Sequence, residues 1–430
     1  MNAADERADF NHTIAGASPR VRVITDQVIH HLHAHHFEDA TASVRAALTQ
    51  TTPDHADYWP LLALTVASRA CAVLGKDAED PSQLLWAQAA SLKSETAYAR
   101  RATVEEATHW LRARLDEAAA GTWPCPNCGG RRGRKIGTAP LCPIDVSHAG
   151  ILFDLDALGT AVPADPPLSY RDWNLIASGL ARQNKWHCDV RLCDSCSLIH
   201  LNWPNQPTRI ARFYSDLPSP GHLVDGISVA GRAENFAFVL DKARFPIFVR
   251  RRYGPLAGKR VLDLGCAEGI MLACLQELGA KTVGFDLDVQ RLRYAQLVLG
   301  LSDLAFEEQR LASLPEGLVD LVISYHALEH VPDADRVFAR LASLLTPGGK
   351  LILAVPHLRA NRDRTIQGLG GDHLLGFDHT TIVTFLERHG LVIELLAVAG
   401  DGLPNVLRNP DGTALWSGMN DDMVVAAAKP

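Results

Sequence analysis

The stretch Val261-Leu262-Asp263-Leu264-Gly265-Cys266-Ala267-Glu268-Gly269, which leads on to Gly284-Phe285-Asp286-Leu287-Asp288, decides the fold. An apolar strand over residues 259–264 breaks into a glycine turn, a helix follows, and a second short strand ends in an acid. Gly265 and Gly269 carry no Cβ, so the turn can take unusual dihedrals and a ligand can lie against bare backbone. The amides that open the next helix then face that ligand. Asp286 falls at the tip of the second strand, where a βαβ unit sets a carboxylate against the two hydroxyls of a ribose. The pattern points to a nucleoside.

The turn also says which kind of nucleoside. A dinucleotide site wants Gly-x-Gly-x-x-Gly, because a pyrophosphate must rest on the helix N-terminus. Here the turn is preceded by an acid inside the strand, Asp263, which would repel a diphosphate but suits an ammonium or sulfonium group. These residues resemble the first motif of the class I S-adenosylmethionine-dependent methyltransferases, hydrophobic-Asp/Glu-x-Gly-x-Gly-x-Gly, departing from it at Ala267. The chain downstream keeps the same order. A buried-strand run over residues 318–324 is followed by Tyr325-His326-Ala327-Leu328-Glu329-His330-Val331. A helix over 334–345 stops at Pro347-Gly348-Gly349, and a strand over 350–355 ends in Pro356. A helix over 380–389 and strands over 391–398 and 423–428 close the chain. The resemblance covers roughly residues 235–430. It implies an α/β, Rossmann-like sheet of seven strands with the last strand antiparallel.

The resemblance further implies an enzyme that uses S-adenosyl-L-methionine. Asp263, Gly265, Ala267 and Gly269 would surround its methionine part, Asp286 the ribose and Leu287 the adenine. Relatives often meet the adenine amino group with an acid after the third strand; Arg310 stands there, leaving Glu308 or Gln309 as substitutes. In an open α/β sheet the ligand lies at the carboxyl ends of the strands, so Ser324, Tyr325 and His326 are expected to face the methyl group. A histidine near its ordinary pKa suits a general base. His326 is the first candidate, with His373, in Asp372-His373-Leu374-Leu375-Gly376-Phe377, and His330 as rivals. Tyr214, in Ala211-Arg212-Phe213-Tyr214, matches a family segment that closes over the cofactor.

Nine cysteines are spread unevenly along a chain without an export signal, which argues against a disulfide framework. Cys125-Pro126-Asn127-Cys128 and Cys193-Asp194-Ser195-Cys196 are two C-x-x-C pairs, able to supply four thiolates to one tetrahedral zinc. With no position left for water, that zinc would be structural. The second pair, running on through Ser197-Leu198-Ile199-His200-Leu201-Asn202-Trp203-Pro204, resembles a C-x-x-C-G-hydrophobic-x-hydrophobic-x-N-P segment ahead of many class I methyltransferases, with Ser197 for its glycine. Cys142 or Cys188 could replace a ligand, and unligated cysteines are the competing reading. Cys71, Cys266 and Cys274 read as small buried residues.

The remaining chain sets the outer bounds. With 430 residues, 47% hydrophobic and 21% charged, it holds two or three soluble domains. The expected division is a disordered start (1–20), an α-helical domain (21–121), a zinc-binding module with an irregular insertion (122–215) and the methyltransferase domain (216–430). Helical spacing marks residues 21–48, 58–74, 81–92 and 104–119, a bundle suited to homodimerisation or to capping the site. No apolar run spans a bilayer and no leader is visible, so a cytoplasmic protein without membrane contact is expected. A net charge of −7 disfavours nucleic acid, despite the basic run Arg131-Arg132-Gly133-Arg134-Lys135. His30, His31, His33, His35 and His36 cluster conspicuously; His31 and His35 share a helix face, but with no third ligand in view a solvated or capping role is expected. The function expected is methyl transfer to a small-molecule acceptor, a specialised metabolite or sugar. The alternatives are an RNA or protein methyltransferase docking through the zinc module, or a non-catalytic scaffold.

Overall fold

The computed structural model describes residues 18–74, 120–140, 187–203, 233–398 and 422–430, with gaps at 34–35, 53–54, 56, 306–307, 332, 361–365, 368, 370–372 and 374, and a few helical residues between 108 and 116. Three helices come first: α1 (Pro19–His33), α2 (Phe37–Thr49) and α3 (Tyr58–Leu74). Proline suits the first helical position, and Ser18 caps it: its Oγ accepts from the Val21 amide at 3.3 Å and donates to Asp57 at 2.6 Å. Helix α1 therefore begins inside the segment expected to be disordered, of which residues 1–17 lie outside the described ones. The single helix expected over 21–48 is two helices with a break before His36. The helix expected over 81–92 and most of 104–119 lie outside the described residues.

Strands β1 (Gly133–Pro140), β2 (His187–Cys193) and β3 (Ile199–Leu201) follow, and then the long α4 (Ala233–Tyr253). The α/β unit runs β4 (Arg260–Leu264), α5 (Ile270–Glu277), β5 (Lys281–Phe285), α6 (Val289–Leu297), β6 (Leu304–Ala305), α7 (Glu308–Ser313), β7 (Val319–Tyr325), α8 (Ala334–Leu344) and β8 (Leu345–Pro356). The short β9 (Arg359–Ala360), β10 (Ile366–Gln367) and β11 (Leu375–Gly376) lead to α9 (His379–Arg388), β12 (Val392–Val398) and β13 (Asp422–Ala428). The large sheet has the order β12-β13-β8-β7-β4-β5-β6. Strands β6, β5, β4, β7 and β8 are parallel, and β13 inserts antiparallel between β8 and β12. Strand order reverses at β4, so a crevice opens beyond the carboxyl ends of β4 and β7, the usual ligand position in such sheets.

Alternate residues of the central strands divide between two buried layers, as a sheet covered on both faces requires. Ile352 and Ala354 face a core shared with α1–α6, whereas Leu351 and Leu353 face one shared with α8, α9 and the cysteine-bearing segments. The expected stop at Pro347-Gly348-Gly349 instead lies inside β8. Gly348, at φ +74°, and Gly349 exchange backbone hydrogen bonds with Lys429 at 2.9 Å, so the chain end is stitched along this turn. No described helix is long and apolar enough to cross a membrane.

Candidate active site

The glycine turn after β4 is closed by Asp286. Its Oδ2 accepts from the Ala267 amide at 2.7 Å and its Oδ1 from the Asp288 amide at 2.8 Å. The Gly265 and Cys266 amides both donate to the Phe285 carbonyl. Gly265, Ala267 and Gly269 all have positive φ (78°, 48° and 77°), so alanine at 267 holds a conformation that costs an L-residue about 1–2 kcal/mol. The two glycines do not simply bare the backbone to a ligand. A Cβ on Gly265 would lie 2.4 Å from the Ala327 Cβ, and one on Gly269 the same distance from Leu301 Cδ1. Packing against the protein itself excludes a side chain. Gly265→Ala is accordingly expected to destabilise the fold by about 2–5 kcal/mol, dihedral strain adding to overpacking, as read from a denaturant midpoint.

Asp263 is fully buried, and neither oxygen has a hydrogen-bond partner among the described residues. Burial, reinforced by the Asp286 charge and opposed by Lys242, pushes its carboxyl up to about 8. An orphaned buried carboxylate is costly unless something satisfies it. Loss of bulk water likewise raises Asp286, against the Asp288 and Ala267 amides and Arg291. Glu268, 3% exposed, is paired with Arg291 Nε at 3.2 Å. Leu287 packs part-buried against the sheet. The Ser324 hydroxyl donates to the Leu264 carbonyl at 3.1 Å, tying the tips of β7 and β4 together. Tyr214 lies outside the described residues, as do the side chains of Glu308 and Gln309.

Beyond the tip of β7 the chain turns sharply, and His326 adopts φ +53°, a strained setting common at functional sites. Its Nε2 lies 3.0 Å from Asp422 Oδ1 and its Nδ1 3.5 Å from Glu329 Oε1. Burial alone would lower the imidazole pKa. The Asp422 hydrogen bond and the two carboxylate charges outweigh it, and the net shift is upward. Glu329 is 1% exposed and accepts no hydrogen bond among the described residues, yet its Oε1 also lies 3.9 Å from His330 Nε2 and 4.0 Å from His373 Nε2. The His330 and His373 rings meet edge to face at 5.0 Å. The three expected histidines thus converge on one buried carboxylate.

Residues 241–396 match a family model described as a methyltransferase domain. This segment is a methyltransferase domain. The chain is similar to the ubiquinone biosynthesis O-methyltransferase of Nitrosococcus oceani, 38% identical over 109 residues, which is 24% of this chain and 46% of that protein. It is similar also to that of Ralstonia nicotianae, 39% identical over 111 residues, 25% and 47% of the two chains. The chain thus spans less than half the length of these curated relatives. The chain is similar also to a solved S-adenosylmethionine-dependent methyltransferase from Mesorhizobium loti, 20% identical, covering 42% of this chain and 95% of that one, with a TM-score of 0.32.

Three groups at the site escaped the sequence reading. Glu329 sits inside the quoted motif without an assigned role. Asp422 immediately precedes the expected last strand, and an acid at the mouth of an apolar strand was the available signal. Lys242, on α4, holds its Nζ 3.8 Å from the centre of the Tyr325 ring, and nothing local in the sequence marks it.

The cysteine module is docked on the methyltransferase domain. Cys125 and Cys196 Sγ lie 3.6 Å apart, as do Cys128 and Cys193, and all four sulfurs fall within 4.8 Å of one another. A tetrahedral zinc with bonds of about 2.3 Å sets sulfurs about 3.8 Å apart, so the four fit one ion. Two matched turns aim them: the Gly129 amide donates to the Cys125 carbonyl and the Ser197 amide to that of Cys193, both at 2.9 Å. Ser197 takes φ +63°, a conformation that favours glycine. Cys188 is excluded from the cluster, its thiol directed at the Asn202 carbonyl 3.1 Å away, and burial pushes it up to about 12. Cys142 lies outside the described residues. Asn127 exchanges two hydrogen bonds with Asp335 (2.8 and 3.1 Å), while Arg388 joins Asp335 to the Cys196 carbonyl. Strand β3 pairs with β11, two residues beyond His373, so the module holds one wall of the site.

Proposed function

We propose that the methyltransferase domain binds S-adenosylmethionine beyond the tips of β4, β5 and β7 and methylates a hydroxyl of a small-molecule acceptor. The observation that carries this reading is an acidic pocket, Asp263 fully buried and without a hydrogen-bond partner among the described residues, beside Asp286. A sulfonium or ammonium group satisfies such a pocket, whereas a phosphate does not. Each Asp286 oxygen already accepts one amide and has a lone pair left for a ribose hydroxyl. Bound S-adenosylmethionine supplies an electrophilic methyl group. Gly265, Ala267 and Gly269 shape the bed for its methionine part, and Leu287 lies on the adenine side. Oxygen as the acceptor atom follows the names of the relatives, which are O-methyltransferases.

Methyl transfer is an in-line displacement, and the acceptor hydroxyl must lose its proton as the new bond forms. His373 takes that proton, and Glu329 stabilises the imidazolium that results. His326 has carboxylates at both ring nitrogens and serves instead as their charged partner. His330 packs edge-on against His373 and holds its ring. One zinc on Cys125, Cys128, Cys193 and Cys196 fixes the wall behind β11. The basic run gives a nucleic-acid reading little help, because Lys135 is paired with Asp189 at 2.6 Å.

Tritiated methyl transfer to separate panels of hydroxylated aromatics, sugar nucleotides and RNA tests the reading. Label is expected in a small-molecule product, and His373→Ala is expected to cut turnover by about 10²–10⁴-fold while sparing cofactor affinity. Label in RNA or protein alone would contradict it. A second expectation concerns protons. With Asp263 near 8 before binding, it is largely neutral at pH 7, and a cation beside it lowers its pKa. Binding therefore releases a proton below pH 8, and affinity rises with pH until that value. Calorimetry at pH 7 in buffers of different ionisation enthalpy reads the release, which Asp263→Asn abolishes.

A further inference from the structure

The helix break that separates α1 from α2 brings together three metal-ligating side chains that the active site does not use. His31, near the end of α1, His36, at the N-cap of α2, and Asp39, in the first turn of α2, place their ligand atoms within 4.8 Å of one another. The His36 amide donates to the His31 carbonyl at 2.8 Å and closes the turn that does this. His35, expected to share a helix face with His31, lies outside the described residues; His36 and Asp39 are the groups set beside His31.

Two further observations single this cluster out. The Nδ1 atom of His31 is buried without a hydrogen-bond partner among the described residues, a cost of about 1–3 kcal/mol unless a ligand satisfies it. His36 occupies an N-cap position, but its side chain makes no capping hydrogen bond. The ring centres of His31 and His36 stand 6.2 Å apart, and His36 and Asp39 are exposed.

We propose that His31, His36 and Asp39 form a divalent transition-metal site that clips α1 to α2, separate from both the methyltransferase cleft and the four-cysteine cluster. Two imidazoles with one carboxylate favour zinc, cobalt or nickel over magnesium and calcium, which demand more oxygen ligands. With three protein ligands, water completes the shell and the site stays open. The site does not depend on the chemistry of the cleft.

Cobalt(II) loading of the full chain tests this, because cobalt held by thiolates shows intense sulfur-to-metal charge-transfer absorption and cobalt held by nitrogen and oxygen does not. Wild-type protein is expected to bind one more equivalent than a His31→Ala/His36→Ala variant, with the sulfur band equal in both. Asp39→Asn, which preserves shape, is expected to weaken that equivalent at least about tenfold. His30→Ala, a neighbour outside the triplet, should leave it unchanged. Equal cobalt content in wild type and the double variant would overturn the proposal, as would a loss with His30→Ala as large as with the triplet.

Discussion

Cys193→Ser is expected to release one equivalent of zinc and to loosen the acceptor side of the site, although Cys193 touches no substrate. The four sulfurs are already gathered at near-tetrahedral spacing, and structural zinc in small modules contributes about 10–16 kcal/mol of folding free energy. Losing even a quarter of that costs about 3 kcal/mol. Cys193 is buried at the end of β2 and a serine oxygen there is a poorer ligand. The damage spreads along defined connections: Arg388 loses its hold on the Cys196 carbonyl, Asn127 its register with Asp335, and β3 its pairing with β11. Turnover should therefore fall much further than cofactor affinity, because β11 adjoins His373 and Asp263 and Asp286 lie on the far strands. Metal analysis with parallel binding and turnover measurements checks it. Full metal content in the variant would refute the ligand assignment.

The second large effect is on the cofactor. Asp286→Ala is expected to weaken S-adenosylmethionine binding at least about a hundredfold, or about 2.8 kcal/mol. The carboxylate has two tasks, accepting from the Ala267 and Asp288 amides to shape the turn and meeting the ribose. Hydrogen bonds to a charged group contribute about 1.5–3 kcal/mol each, so loss of the ribose contacts alone covers the effect. Loss of the turn contacts adds a drop in melting temperature. Asp286→Asn, which keeps one acceptor oxygen, should fall between. Unchanged affinity by calorimetry would remove Asp286 from the ribose.

The strand–turn–helix core was legible because apolar runs, glycines and acids that define it are contiguous. Asp263 stood out as an acid inside an apolar run and Asp286 as one at the end of another, where burial makes a charge conspicuous. What escaped depends on distance along the chain. Asp422 meets His326 across 96 positions and Asn127 meets Asp335 across 208, and no local spacing encodes either contact. The glycines were legible as special positions, but the reason was not: Ala327 and Leu301 fill the space that a ligand was expected to claim. The break between α1 and α2 carries neither proline nor glycine, so the histidine tract read as continuous helix. Only the structure sets His31 beside Asp39.

The proposed cleft, lined by the buried acids Asp263 and Asp286, receives a sulfonium nucleoside. Isothermal calorimetry of the full chain with S-adenosylmethionine and its demethylated product tests that most directly. One equivalent of each is expected to bind, with affinity lost in Asp286→Ala and the melting temperature raised in the wild type. No heat and no thermal shift with either compound would contradict it.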